Sequence, residues 1–121
     1  MARLLVEDGG LVLRLSWSER LRARRGTIRL PWTVVEAARI EPDWWRTLRG
    51  TPVKGSHRPA HCLGERRHPA GRDFVAVRSG GPAVLVGLRP GAPFARIAVT
   101  VPQAEAEETV RAVRRHRTPH R

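Results

Sequence analysis

Three apolar runs crowd the last third of the chain: Asp73 to Arg78, Ala83 to Leu88 and Ala95 to Val101. Ser79-Gly80-Gly81-Pro82 parts the first two, and Arg89-Pro90-Gly91-Ala92-Pro93 parts the second pair. Short segments rich in Val, Ile, Leu and Phe and bounded by glycine and proline read as strands, because branched side chains suit the pleat and the punctuating residues supply turns. The spacing predicts an antiparallel meander. Beyond it, Pro102 to about Arg117 carries Ala106, Val110 and Val113 at i, i+4 and i+7, one apolar stripe on a helix. Glu105, Glu107 and Glu108 stand early in that helix and Arg111, Arg114, Arg115 and Arg117 late, the order its dipole prefers. Residues 118 to 121 read as a frayed basic tail, leaving 1 to 117 as a single domain.

The first third has shorter signals. Leu4 to Glu7 and Leu11 to Ser16 flank Asp8-Gly9-Gly10, and a Gly-Gly pair suits the tight turn of a β-hairpin. Ser16-Trp17-Ser18-Glu19 has the spacing of a capping box, predicting a short helix to about Arg25 that turns Trp17 and Leu21 inward. Thr27 to Leu30 reads as a brief strand. Trp32 to Ile40 fits either a helical turn running into a strand or a strand alone. Asp43 is placed to cap a short helix holding Trp44, Trp45 and Leu48 that stops at Gly50. Between Arg49 and Arg72, glycines and prolines are so frequent that the segment reads as a long irregular loop, with only His61-Cys62-Leu63 strand-like.

Composition narrows the functional classes. Twenty-three Lys and Arg face eleven Asp and Glu, for a formal net charge of +12, and Lys54 is the only lysine. Such a charge attracts polyanions, namely nucleic acid, an anionic membrane surface or an acidic protein. Cys62 stands alone, so an intramolecular disulfide is impossible and a reducing, cytoplasmic setting fits. Glu7 and Asp8 break the N-terminal apolar run far short of an export signal, and no transmembrane segment is expected.

Catalytic signatures are missing. The chain has no nucleophile elbow, phosphate loop or dinucleotide glycine fingerprint, and His61 and Cys62 are neighbours whose side chains diverge in a strand. His57, His61, Cys62 and His68 lack the ligand spacing of a structural zinc site. The expectation is therefore a protein that is not an enzyme and that uses no metal or cofactor. Arg49, Lys54, Arg58, Arg66 and Arg67 are candidate polyanion contacts, since guanidinium forks pair with phosphate and nearby glycines admit an anion to backbone N–H groups. Trp44 and Trp45 are candidates for an interaction surface, because adjacent residues on a helix cannot both face the core.

About seven short strands and a closing helix suggest a curled antiparallel sheet or small β-barrel plugged at one end. The run Arg29-Leu30-Pro31-Trp32-Thr33-Val34-Val35 resembles the approach to an early strand of bacterial pleckstrin-homology-like domains. Leu48-Arg49-Gly50, Arg72-Asp73-Phe74-Val75-Ala76-Val77-Arg78 and Ala92-Pro93-Phe94 are similar in their order to that family as well, from Leu11 to Val113. The resemblance implies a non-enzymatic binding or scaffold fold with no fixed ligand and no shared set of functional residues. Protein interaction, with an unknown partner or by self-association, is the leading expectation. Polyanion binding through residues 49 to 72 is the alternative.

Overall fold

The computed structural model describes all residues except 1, 24–25, 59 and 118–121, with the side chains of 18, 22–23, 54–58 and 117 also left aside. The basic tail expected at 118 to 121 and the end of the first helix at Arg25 lie outside the described residues.

The chain is mainly β, with two sheets and a C-terminal helix. Strands β1 (Arg3–Glu7), β2 (Gly10–Arg14) and β3 (Ile28–Pro31) form an antiparallel three-stranded sheet in that order. Helix α1 (Trp17–Ala23) links β2 to β3. The remaining strands, β4 (Val35–Glu41), β5 (Thr51–Arg58), β6 (His61–His68), β7 (Gly71–Arg78), β8 (Ala83–Leu88) and β9 (Arg96–Thr100), form one six-stranded sheet. Its order is β4-β8-β9-β7-β6-β5, with β7 and β9 parallel and every other pair antiparallel. Helix α2 (Gln103–Arg117) packs across β4, β1 and β8.

Three expectations are corrected here. The sheets do not close into a barrel; β4 and β5 are two separate edges of one open sheet. The late runs are not a meander, because β9 is inserted between β7 and β8. Phe74 to Val77, Ala83 to Val86 and Ile97 to Thr100 are all buried, and strands apolar on both sides belong in the middle of a sheet, a demand that either order of the three strands meets. Finally, residues 51 to 68 are not a loop but the hairpin β5–β6, continued by β7 through a turn at Pro69-Ala70. Pro52 can sit in β5 because β5 is an edge strand, where a missing N–H breaks no central ladder.

The main core lies between the sheets. Leu4, Leu11, Leu13, Ile28 and Leu30 from the small sheet, with Leu15 just beyond β2, meet Leu63, Phe74, Val84, Val86, Ile97 and Val99 from the large one, with Ala106 and Val113 of α2 against them. Phe74 and Phe94 pack tilted, with ring centroids 5.6 Å apart. Trp32, in a 3-10 turn (Trp32–Val34), stacks on His116 of α2 at 3.9 Å and donates from Nε1 to the Asp8 carbonyl at 2.9 Å. The helical stripe at Ala106, Val110 and Val113 is buried, so α2 seals this side of the fold.

The capping box forms. The Glu19 N–H donates to Ser16 Oγ at 3.3 Å, and Glu19 Oε1 accepts from the Ser16 N–H at 2.8 Å. Its other oxygen accepts from the Ala2 N–H at 3.1 Å, which turns the carboxylate inward. Residues two positions away lie on the opposite side of a helix. Trp17 and Leu21 are consequently 75% and 60% exposed, not packed inward as the sequence predicts.

Candidate binding face

Alternation along each strand gives the six-stranded sheet a second face, turned away from the small sheet. Cys62, Val75, Val77, Ala83, Leu85 and Ala98 form an apolar cluster there, partly covered by Trp44 and Leu48. The cover is a single 3-10 turn (Trp44–Thr47), held by the Thr47 hydroxyl donating to the Trp44 carbonyl at 2.6 Å. Asp43 precedes that turn without capping it through its side chain. Trp44 is half-buried against the cluster, whereas its neighbour Trp45 is 54% exposed with the Arg46 guanidinium 5.1 Å from its ring centroid. Arg46 also pairs with Asp43 at 3.4 Å.

An ionic centre borders this cover. Asp73 is 1% exposed, on the same face of β7 as Val75 and Val77. A buried carboxylate needs charged or hydrogen-bonded partners. Arg49 supplies a two-pronged one, Nε to Oδ2 at 2.5 Å and Nη2 to Oδ1 at 2.8 Å. Arg96, opposite Asp73 in the parallel register, adds Nε to Oδ2 at 3.3 Å and Nη2 to the Thr47 carbonyl at 2.9 Å. The Asp73 hydrogen bonds hold the Arg49 guanidinium more firmly protonated than usual. Arg96 moves the opposite way, lowered first by burial and then by Arg49, against the pull of Asp73.

Gly50 makes this reach possible. Its φ of +70° lies in the left-handed region, and a Cβ there would sit 1.7 Å from the Arg67 carbonyl oxygen. Arg66 fastens the same turn, donating to the Arg49 carbonyl at 3.0 Å and the Gly50 carbonyl at 2.9 Å.

Of the candidate polyanion residues whose side chains are described, Arg49 and Arg66 lie on one side of the sheet and Arg67 on the other. Arg49 and Arg66 are engaged within the molecule on the outer face. Arg67 is exposed and alternates to the side of the sheet that carries Leu63 and Glu65. Lys54 and Arg58 are positions of β5 whose side chains lie outside the described residues. Of the interaction candidates, Trp44 and Trp45 share the outer face but divide between cover and solvent. Asp73 and Arg96 are absent from the sequence candidates. The one local signal was Asp73 itself, a charge alternating with Val75 and Val77 on an otherwise apolar strand.

The remaining chemistry is modest. Burial pushes the Cys62 thiol up, only partly offset by Arg66, so it stays protonated at neutral pH. Among the described residues, no three His, Cys, Asp or Glu side chains gather as a metal site. A cavity of about 410 Å³ lies where Ala2, Ser16 and Glu19 meet His61, Arg78 and Thr100. Its Glu19 carboxylate and Thr100 hydroxyl are engaged with backbone groups of the fold. Among the described residues, no helix is long and apolar enough to cross a membrane.

No family model, curated protein or solved structure matches this chain.

Proposed function

We propose that this chain is a non-enzymatic binding module whose task is protein interaction through the outer face of the six-stranded sheet. The observation that carries the reading is Trp45, a large aromatic ring 54% exposed on a turn whose neighbours are fixed to the sheet. Tryptophan and arginine side by side are typical anchors of protein interfaces, because both present broad, desolvatable surface with a polar handle. The partner is a second protein or another copy of this chain. The pleckstrin-homology-like resemblance belongs to this proposal. It rests on the order of β elements before one C-terminal helix; the open sheet edges and the parallel β7–β9 pair depart from the expected barrel.

Polyanion binding through residues 49 to 72 is the second reading, favoured by the net charge of +12 and by the exposed Arg67. Salt separates the two, because phosphate contacts release counterions and weaken steeply with ionic strength, while an apolar anchor does not. The test is affinity capture from a cell extract at low and high salt, using wild type and Trp45→Ala. The interaction reading expects a protein retained by wild type at both salts and lost by the variant. Recovery of nucleic acid alone, at low salt alone and unaffected by Trp45→Ala, overturns it in favour of the polyanion.

A further inference from the structure

A shallow pocket of about 190 Å³ opens on the outer face beside the ionic centre, lined by Ala37, Ala38, Arg39, Leu85, Gly87 and Arg96. Its floor is small and apolar. Gly87 keeps it open, since a Cβ there would meet nothing nearer than the Ala37 carbonyl oxygen at 3.9 Å. Its two polar side chains are both guanidiniums.

The local charge does not balance. Arg39, Arg46, Arg49 and Arg96 are answered by Glu41, Asp43 and Asp73, four cations to three anions. The deficit falls at Arg96. Asp73 is already held by both prongs of Arg49, and Arg96 reaches it through Nε alone while Nη2 goes to a carbonyl. That leaves Nη1 of Arg96 with no hydrogen bond to the described residues. Arg39 is 61% exposed in its side chain and touches Glu41 through Nη1 only, at 3.3 Å, so its other N–H groups are available too. Burial lowers Arg96 first, then Arg49 and, last, Arg39, while Asp73 alone pulls the other way.

We infer that the pocket between Arg39 and Arg96 is an oxyanion site for a small phosphate- or carboxylate-bearing ligand. Arg39 and Arg96 both line one concavity, each with N–H donors to spare, and charge-assisted bonds of this kind are the strongest available to such an anion. The apolar floor of Ala37 and Leu85 suits the carbon skeleton that carries it. This site does not depend on Trp45.

The test is thermal unfolding of the full chain in rising potassium phosphate, against potassium chloride and potassium acetate at matched ionic strength. Phosphate is expected to raise the Tm with the logarithm of its concentration, by about 4–8 °C at about tenfold the dissociation constant. Arg39→Gln should weaken the response about tenfold and Arg39→Lys restore part of it. Arg67→Gln, on the opposite side of the sheet, should leave it unchanged. Glu41→Gln should tighten binding, because it removes the carboxylate that now competes for Arg39. Acetate acting like phosphate assigns the site to oxyanions in general, and phosphate acting alone assigns it to phosphoryl groups. A Tm that follows ionic strength whatever the anion, or a phosphate response equal in wild type and Arg39→Gln, overturns the assignment. Trp45→Ala should leave the phosphate response intact, which separates this result from the fate of the interaction face.

Discussion

The two faces of the six-stranded sheet share the same strands yet are finished differently. Where the inner face meets the small sheet and α2 it contributes a cluster of aliphatic and phenyl side chains, with Glu65 and the exposed Arg67 further along the same side of β6. The outer face has one 3-10 turn over a smaller apolar cluster, then an ionic centre, then solvent. The chain thus completes one face by itself and leaves the other partly open. That asymmetry shows where stability comes from and where a partner has room to act.

The contrast can be broken most forcefully from the inner side. Phe74→Ala empties a fully buried site packed against Phe94 and should cost about 3–5 kcal/mol in urea unfolding. A loss below about 1 kcal/mol would mean that the inner face is not close-packed. On the outer face, Asp73→Asn leaves Arg49 and Arg96 without their shared counter-charge. It should cost about 2–4 kcal/mol, the range for a buried ion pair losing one partner when the other side is still partly hydrated. That loss should be little altered by salt, since the carboxylate is sheltered from screening.

The Glu19 cap gives a smaller effect with a pH signature. Burial alone would raise this carboxyl, but hydrogen bonds from Ser16 together with the N-terminal ammonium hold the group below its ordinary value. A lowered carboxyl contributes stability that is complete above about pH 4.5 and is lost as pH falls through the lower folded value. Glu19→Gln should therefore cost about 1–2 kcal/mol at neutral pH, and its gap from wild type should close on acidification. Smallest of all, Trp45→Ala should change stability by less than about 0.5 kcal/mol, because its ring is mostly in water. A larger loss would make Trp45 part of the cover rather than an exposed anchor.

Much of the fold was legible in the sequence, and what was missed has physical reasons. The late strands, α2 and the capping box were readable because each depends on periodicity or spacing within a short window. Strand order was not. Apolar residues on both faces mark β7, β8 and β9 as central strands but do not say which neighbours which, so a meander and the inserted β9 look alike. The β5–β6 hairpin was hidden by Gly55, Gly64 and Pro52, which usually announce loops but here occupy an edge strand and its partner. The inward turn of Glu19 was hidden too, since its partner at Ala2 is seventeen residues away. The ionic centre was the least legible part. Arg49 and Arg96 lie 24 and 23 residues from Asp73; the parallel β7–β9 register brings Arg96 there, and the turn at Gly50 brings Arg49.

Hydroxyl-radical footprinting of the wild-type monomer, read by mass spectrometry at Trp45 and Phe74, tests the asymmetry of the two faces most directly. Trp45, 54% exposed, should label heavily, while Phe74, fully buried, should stay unmodified until the protein unfolds. Equal labelling of the two rings, or protection of Trp45 in the free monomer, would contradict a sealed inner face and an open outer one.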